Sequence, residues 1–240
     1  MSPVGSLWQE AVVVRPDPVN VQAIVFDFDG VLADSEPLHL RVYQEMLEPQ
    51  GIHIDRAAYE ERYLGYDDAG VFQKIGEDFN LLFGDEEIEM LIEEKSRRFQ
   101  ALVAGGGVLY PEAASLVERL GAAWPLGIAS GALRSEIELI LRAAGLLDAF
   151  EFIVASGDTE QSKPAPDPYL RAAVLHAVPP GACVAIEDSH WGLQSARAAG
   201  MRTIAVTHTY PRDTLTDADA IADSLEQITV ESIRRLEALR

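Results

Sequence analysis

The sequence predicts an α/β fold, a Rossmann-like parallel sheet core with an inserted all-helical cap domain. Three observations predict it. The run Ala23-Ile24-Val25-Phe26-Asp27-Phe28-Asp29-Gly30-Val31-Leu32 reads as a buried strand ending in two carboxylates and a glycine. Helical periodicity without a strand fills residues 36–104, and short apolar runs alternate with helical stretches after residue 105. Strand alternating with helix implies a parallel sheet covered on both faces.

Taken in order, residues 1–20 are a short extension whose Glu10, Arg15 and Asp17 break any long apolar stretch, unlike a signal peptide. Residues 21–35 form the first strand and its following turn. Side chains alternate along a strand, so Asp27 and Asp29 are expected on one side. Two carboxylates that close repel unless a cation lies between them or one stays protonated. The alternative for an isolated pair of this kind is a solvated strand end. The cap, residues 36–104, carries helical spacing over Leu38–Leu47, Ala57–Leu64, Ala69–Phe79 and Ile88–Leu102. It rejoins the core at Gly105-Gly106-Gly107, a flexible joint rather than a phosphate-binding loop, since no Lys-Ser or Lys-Thr follows. Residues 105–240 complete the core. Further strands are expected at Leu126–Ala129, Phe152–Ala155, Cys183–Ile186 and Thr203–Val206. Asp167-Pro168 reads as an N-cap with proline at the first helical position, and Gly145 and Gly200 as helix stops. Ligands of such sheets bind beyond the carboxyl ends of the strands, where Asp27, Ser130 and Asp188 fall.

The chain has 240 residues, 48% of them hydrophobic, enough for a substantial core. Its single cysteine, Cys183, excludes an intrachain disulfide and suits a core position in a reducing, cytoplasmic setting. A formal charge of -20 disfavours nucleic acid and anionic membranes as partners, because both require clustered Lys and Arg. No apolar run reaches membrane-spanning length. A monomer is expected, with a dimer left open.

Taken singly, the remaining candidates are ambiguous. Ser130-Gly131 can hold phosphate oxygens or simply turn the chain. Lys163, inside Ser162-Lys163-Pro164-Ala165-Pro166-Asp167-Pro168, is either a rigidly held ammonium or a solvated loop lysine. Glu187-Asp188, ahead of Ser189 and Gly192, are either site acids at the carboxyl end of a strand or ordinary acids at a helix start. Their co-occurrence at one sheet edge favours a functional constellation: four carboxylates, one lysine and one hydroxyl.

In this order, Asp27-Phe28-Asp29-Gly30-Val31-Leu32, Ser130-Gly131, Lys163-Pro164 and Glu187-Asp188-Ser189 resemble the haloacid dehalogenase-like superfamily over about residues 21–210, specifically its helical-cap branch of phosphatases and phosphomutases. The resemblance implies that Asp27 is the nucleophile, forming an aspartyl-phosphate, and that Asp29 is the acid and base. It implies Mg²⁺ held by Asp27, the Asp29 backbone carbonyl and Asp188, with Glu187 contributing directly or through water. Ser130, the Gly131 amide and Lys163 would stabilise the transferring phosphoryl group. The substrate would be a small phosphorylated metabolite, sugar- or polyol-phosphate-like, chosen by the cap. Asp34-Ser35-Glu36-Pro37-Leu38-His39 matches the mutase-like subgroup, in which His39 would assist Asp29, although a packed or exposed histidine is an equal reading. Where mutase caps carry a serine and an arginine for a second phosphate, Leu64-Gly65-Tyr66-Asp67-Asp68 offers acids, and Asp68 is expected to bind a hydroxylated or cationic tail. Hydrolysis is therefore expected. A sugar phosphomutase and a non-catalytic binding protein on the same scaffold are the alternatives.

Overall fold

The computed structural model describes residues 20–64 and 66–238. The extension read at residues 1–20 therefore lies almost wholly outside the described residues. Strand β1 (Ala23–Phe26) is followed by four helices, α1 (Glu36–Leu47), α2 (Arg56–Arg62), α3 (Asp68–Phe79) and α4 (Asp85–Val103). The chain continues through α5 (Ala113–Gly121), β2 (Leu126–Ala129), α6 (Arg134–Ala143), β3 (Phe152–Val154), α7 (Asp167–Leu175), β4 (Cys183–Glu187), α8 (His190–Ala198), β5 (Arg202–Val206), β6 (Ala220–Ala222) and α9 (Val230–Arg235).

The six strands form one parallel sheet in the order β3-β2-β1-β4-β5-β6. Val25 at its centre is paired with Gly127 on one side and Ala185 on the other. Alternate residues of β1 serve opposite faces. Ile24 and Phe26 join a core that runs without interruption into the cap through Val42, Tyr43, Phe72 and Phe99. Ala23 and Val25 pack with Tyr169, Ala172, Cys183 and Ala196 on the other face. Small residues dominate that second layer, which lets α7 and α8 lie close against the sheet.

Three expectations need correction. The short β6 was not anticipated; its three residues, Ala-Ile-Ala, give too little pattern to separate an edge strand from a loop. Helix α7 is capped by Pro166 rather than Asp167, because Pro166 already has helical dihedrals (φ -73°, ψ -9°), so Asp167 opens the helix. Strand β1 ends at Phe26, so strand alternation does not place Asp27 and Asp29. A tight turn does so instead: the Gly30 N–H donates to Ala33 O at 2.8 Å, and the Leu32 and Ala33 N–H groups both donate to Phe28 O. Helices α6 and α8 end two residues before Gly145 and Gly200, as expected.

Chain order reverses at β1. From there one arm of the sheet runs through β2 to β3 and the other through β4 to β6. Such a switch point opens a crevice at the carboxyl ends of the central strands. The cap helices stand over that crevice.

Candidate active site

A pocket of about 140 Å³ occupies the crevice between sheet and cap. Asp27, the first residue beyond β1, is fixed through its backbone N–H, which donates to Ile186 O at 2.9 Å. Its side chain lies 3.0 Å from Lys163 Nζ. Burial pushes the Asp27 carboxyl up to about 7; Lys163 opposes the shift, while Glu187 and Asp29 add to it. Lys163 comes from the β3–α7 loop. Burial works against its ammonium, but Asp27 and Glu187 outweigh that and raise its pKa.

Glu187 closes β4 and is fully buried. Its Oε1 accepts from Lys163 Nζ at 2.7 Å and from the Tyr169 hydroxyl at 2.6 Å. Its Oε2 accepts from the Asp188 N–H and the Ser189 hydroxyl, both at 3.2 Å. A carboxylate has about four acceptor positions, so Glu187 is saturated by protein donors. It positions Lys163 more than it offers a free oxygen. Asp188 is also buried; burial raises its pKa well above the ordinary range, with Asp27 and Glu187 adding and Thr209 opposing.

One carboxylate oxygen from each of Asp27, Glu187 and Asp188 lies within 4.8 Å of the others. Lys163 is paired with two of these three buried acids, Asp27 and Glu187, and burial first, then the neighbouring carboxylates, raises the Asp27 and Asp188 carboxyls. All-oxygen donors of this kind fit a hard divalent cation. Space for the cluster depends on two glycines. A Cβ at Gly30, whose φ is +73°, would stand 1.9 Å from Asp188 Oδ2, and one at Gly192 would stand 1.9 Å from Glu187 Oε1.

The Asp29 carboxylate stands apart from that cluster. Its Oδ1 accepts from the Ser35 hydroxyl and lies 3.8 Å from His39 Nε2. Burial would raise its pKa, but His39, Ser35 and Lys95 outweigh burial and lower it. His39 is stacked on Phe99 with ring centroids 4.2 Å apart. Burial and Lys95 oppose its protonation, yet Asp29 and Glu36 prevail and raise its pKa. The first cap helix therefore presents His39 to Asp29, while Phe99 of α4 backs the ring.

Ser130, just beyond β2, lines the pocket; its Oγ accepts from the Ala132 N–H at 3.2 Å and keeps its own proton to donate. Gly131 lines the pocket beside it. Asp68, expected as a substrate contact, is engaged on both oxygens: Oδ1 accepts from the Tyr43 hydroxyl at 2.6 Å, and Oδ2 lies 3.0 Å from Lys95 Nζ. Asp67 caps α3 by accepting from the Gly70 N–H. Its other oxygen accepts from the core's Ser162 hydroxyl at 3.1 Å.

Two charged pocket residues escaped the sequence reading. Lys95 of α4 and Glu136 of α6 are each 1% exposed and face one another at 3.3 Å. Their signal was positional. Lys95 falls on the apolar stripe Ile88, Ile92, Phe99 and Val103 of its own helix, where a lysine has no reason to be buried without a partner. Glu136 is likewise four residues before the buried Ile140.

A family model described as haloacid dehalogenase-like hydrolase matches residues 21–200. The protein CbbY of Rhodobacter capsulatus is 35% identical over 228 residues, spanning 91% of this chain and all of that protein. The fructose-1-phosphate phosphatase YqaB of Escherichia coli is 28% identical over 183 residues, 76% of this chain and 95% of that one. Among solved structures, beta-phosphoglucomutase from Clostridium difficile superposes with a TM-score of 0.82 at 26% identity, covering 91% of this chain and 98% of that one. A CbbY mutant from Rhodobacter sphaeroides in complex with xylulose-(1,5)bisphosphate superposes with a TM-score of 0.78 at 29% identity, covering 89% and 99%.

Proposed function

The chain belongs to the haloacid dehalogenase-like hydrolases, and on that premise we propose that it is a Mg²⁺-dependent phosphatase acting on a monophosphate ester with a hydroxylated, sugar- or polyol-like tail. The observation that carries this reading is the separation of two aspartates in one pocket. Asp27 lies against Lys163 and the acids of β4, whereas Asp29 lies against Ser35 and His39.

That separation divides the labour of phosphoryl transfer. Asp27 attacks phosphorus, forming the Asp27–phosphorus bond as the bond to the leaving ester oxygen breaks. Lys163, the Ser130 hydroxyl and the Gly131 amide face the charge on the transferring oxygens. Asp27 and Asp188 would hold Mg²⁺, which when bound would supply further positive charge there, and Glu187 would act through Lys163 and the outer shell. The leaving alkoxide takes a proton from the Asp29–His39 pair. Asp29 alone is held ionised, so the proton is stored on the raised histidine 3.8 Å away and delivered through the carboxylate. In the second half-reaction Asp29 receives a proton from the water that attacks the aspartyl-phosphate. That step releases inorganic phosphate and restores Asp27.

Relatives divide over the substrate. One is named a fructose-1-phosphate phosphatase, one is a mutase, and one was crystallised with a bisphosphate. The distal end of this pocket favours the first type. Beyond Lys163, the pocket's one other lysine among the described residues is Lys95, already paired with Asp68 and Glu136. Glu36, Asp67 and Asp68 line the rest, with the Tyr43 and Tyr59 hydroxyls donating to Asp68 and Glu36. A second phosphate would meet carboxylates, whereas sugar hydroxyls can donate to them. The test is a panel of sugar and polyol monophosphates, matching bisphosphates and an aryl phosphate, each with Mg²⁺ and with chelator. Metal-dependent release of phosphate from monophosphates is expected. Efficient interconversion of hexose 1- and 6-phosphates would replace this reading with the mutase.

A further inference from the structure

Lys95 is held in an unusual way for a lysine in a phosphate-processing pocket. It lies on the cap, and its ammonium reaches Asp68 of the cap at 3.0 Å and both oxygens of Glu136, on the core, at 3.3 and 3.4 Å. An ammonium has three donors. Asp68 is paired with it as an ion at 3.0 Å and Glu136 takes a donor shared between its two oxygens, which leaves a donor for a ligand. The Phe99 ring, 5.0 Å from Nζ, closes another approach. With two carboxylates bound, the group is no longer an anion trap, yet it can still donate a directed hydrogen bond. Only Glu136 of the three belongs to the core, so this balance is complete when the cap lies on the core as it does here.

We propose that Glu136 is a specificity-determining residue: by cancelling the charge of Lys95 across the cap–core seam, it turns that lysine into a hydroxyl-orienting donor and excludes ligands with a second phosphate at the distal end. The inference rests on the phosphatase reading above and adds to it which residue sets the substrate class. Glu136 acts through Lys95 and through the field at the distal end, and takes no part in the transfer chemistry at Asp27.

The test uses inhibition of Mg²⁺-dependent aryl-phosphate hydrolysis by two compounds of one carbon skeleton, a hexose 1-phosphate and its 1,6-bisphosphate. In the wild type the monophosphate is the better inhibitor. Glu136→Gln keeps the shape and an acceptor for Lys95 while removing one negative charge, and it should shift the ratio of the two inhibition constants toward the bisphosphate by about tenfold. Asp68→Asn removes the other partner's charge and should move the ratio in the same direction; it carries the test if Glu136→Gln does not fold. A merely structural role would weaken both inhibitors together and leave the ratio where it was. An unchanged ratio in a folded variant overturns the proposal, as does no inhibition by either compound. A wild type that fails to hydrolyse the aryl phosphate with Mg²⁺ overturns the phosphatase reading itself, so the two failures are told apart.

Discussion

At the transfer end of the pocket Asp27 and Glu187 share one ammonium, that of Lys163, with Asp188 beside them, whereas at the distal end Asp68 and Glu136 share Lys95 while tyrosine hydroxyls serve Asp68 and Glu36. The transfer end is short of positive charge. Burial and the neighbouring carboxylates drive Asp27 and Asp188 upward in pKa, and an added cation would relieve them. At the distal end each of Glu36, Asp68 and Glu136 has a side-chain partner, although burial raises the Glu36 and Glu136 carboxyls as well. On the proposed function, one end recruits a metal and a phosphate and the other recognises neutral hydroxyls. The two also differ in origin: the first is assembled from residues at strand ends, the second by helices of two domains meeting.

The largest effect that would break this contrast is at Asp27. Asp27→Asn should lower kcat by about 10⁴-fold or more while the fold is retained, because the amide is a poor nucleophile of nearly the same shape. Steady-state rates and circular dichroism on the purified variant measure both halves of that statement. Next is Lys163→Met, expected to lower kcat by about 10²–10³-fold. It leaves two buried acids, Asp27 and Glu187, without their counter-ion, so the metal-free variant should lose about 3–5 kcal/mol, recovered in part by Mg²⁺. Denaturant titrations with and without chelator test it.

A smaller and more diagnostic effect is in pH. A carboxyl whose folded pKa is raised from 3.8 to about 7 binds protons more tightly folded than unfolded. Its contribution to stability is complete below the unfolded value and is lost as pH rises toward about 7. Without divalent ions, wild type should therefore lose stability relative to Asp27→Asn between pH 5 and 8. The Mg²⁺-induced rise in Tm should be larger at pH 8 by about 2–4 °C, near ~1 kcal/mol. Taking the difference between the two proteins removes the opposite contribution of His176, whose burial lowers its pKa. The smallest effect is at the seam. Ser162→Ala removes the exposed bond to Asp67 and should cost about 0.5 kcal/mol, with KM little changed, since Asp67 still caps α3.

The same division governs what could be read from the sequence. Asp27 and Asp29 sit within one turn of a strand end, and Glu187-Asp188 close another strand, so a short window carries each pair with its structural setting. Cap helices were legible from apolar spacing, because each buries one face. What escaped depends on distance along the chain. Lys95 and Glu136 are 41 residues apart, and Tyr43 and Asp68 are 25 apart. Nothing local to either member reveals the other. The acids Asp67 and Asp68 were visible as a departure from mutase caps, but that both oxygens of Asp68 are already engaged follows only from the meeting of α1, α3 and α4. Strand β6 was missed for the opposite reason: three residues contain too little pattern to be read at all.

In the proposed mechanism Asp27 carries the phosphoryl group between the two half-reactions. Acid quenching of the wild type during turnover of an aryl phosphate with Mg²⁺, followed by peptide mass spectrometry, tests it most directly. A phosphoryl adduct is expected on Asp27, more abundant in Asp29→Asn, where the attacking water has lost its base. An adduct on another side chain, or turnover with no adduct in either protein, would contradict it.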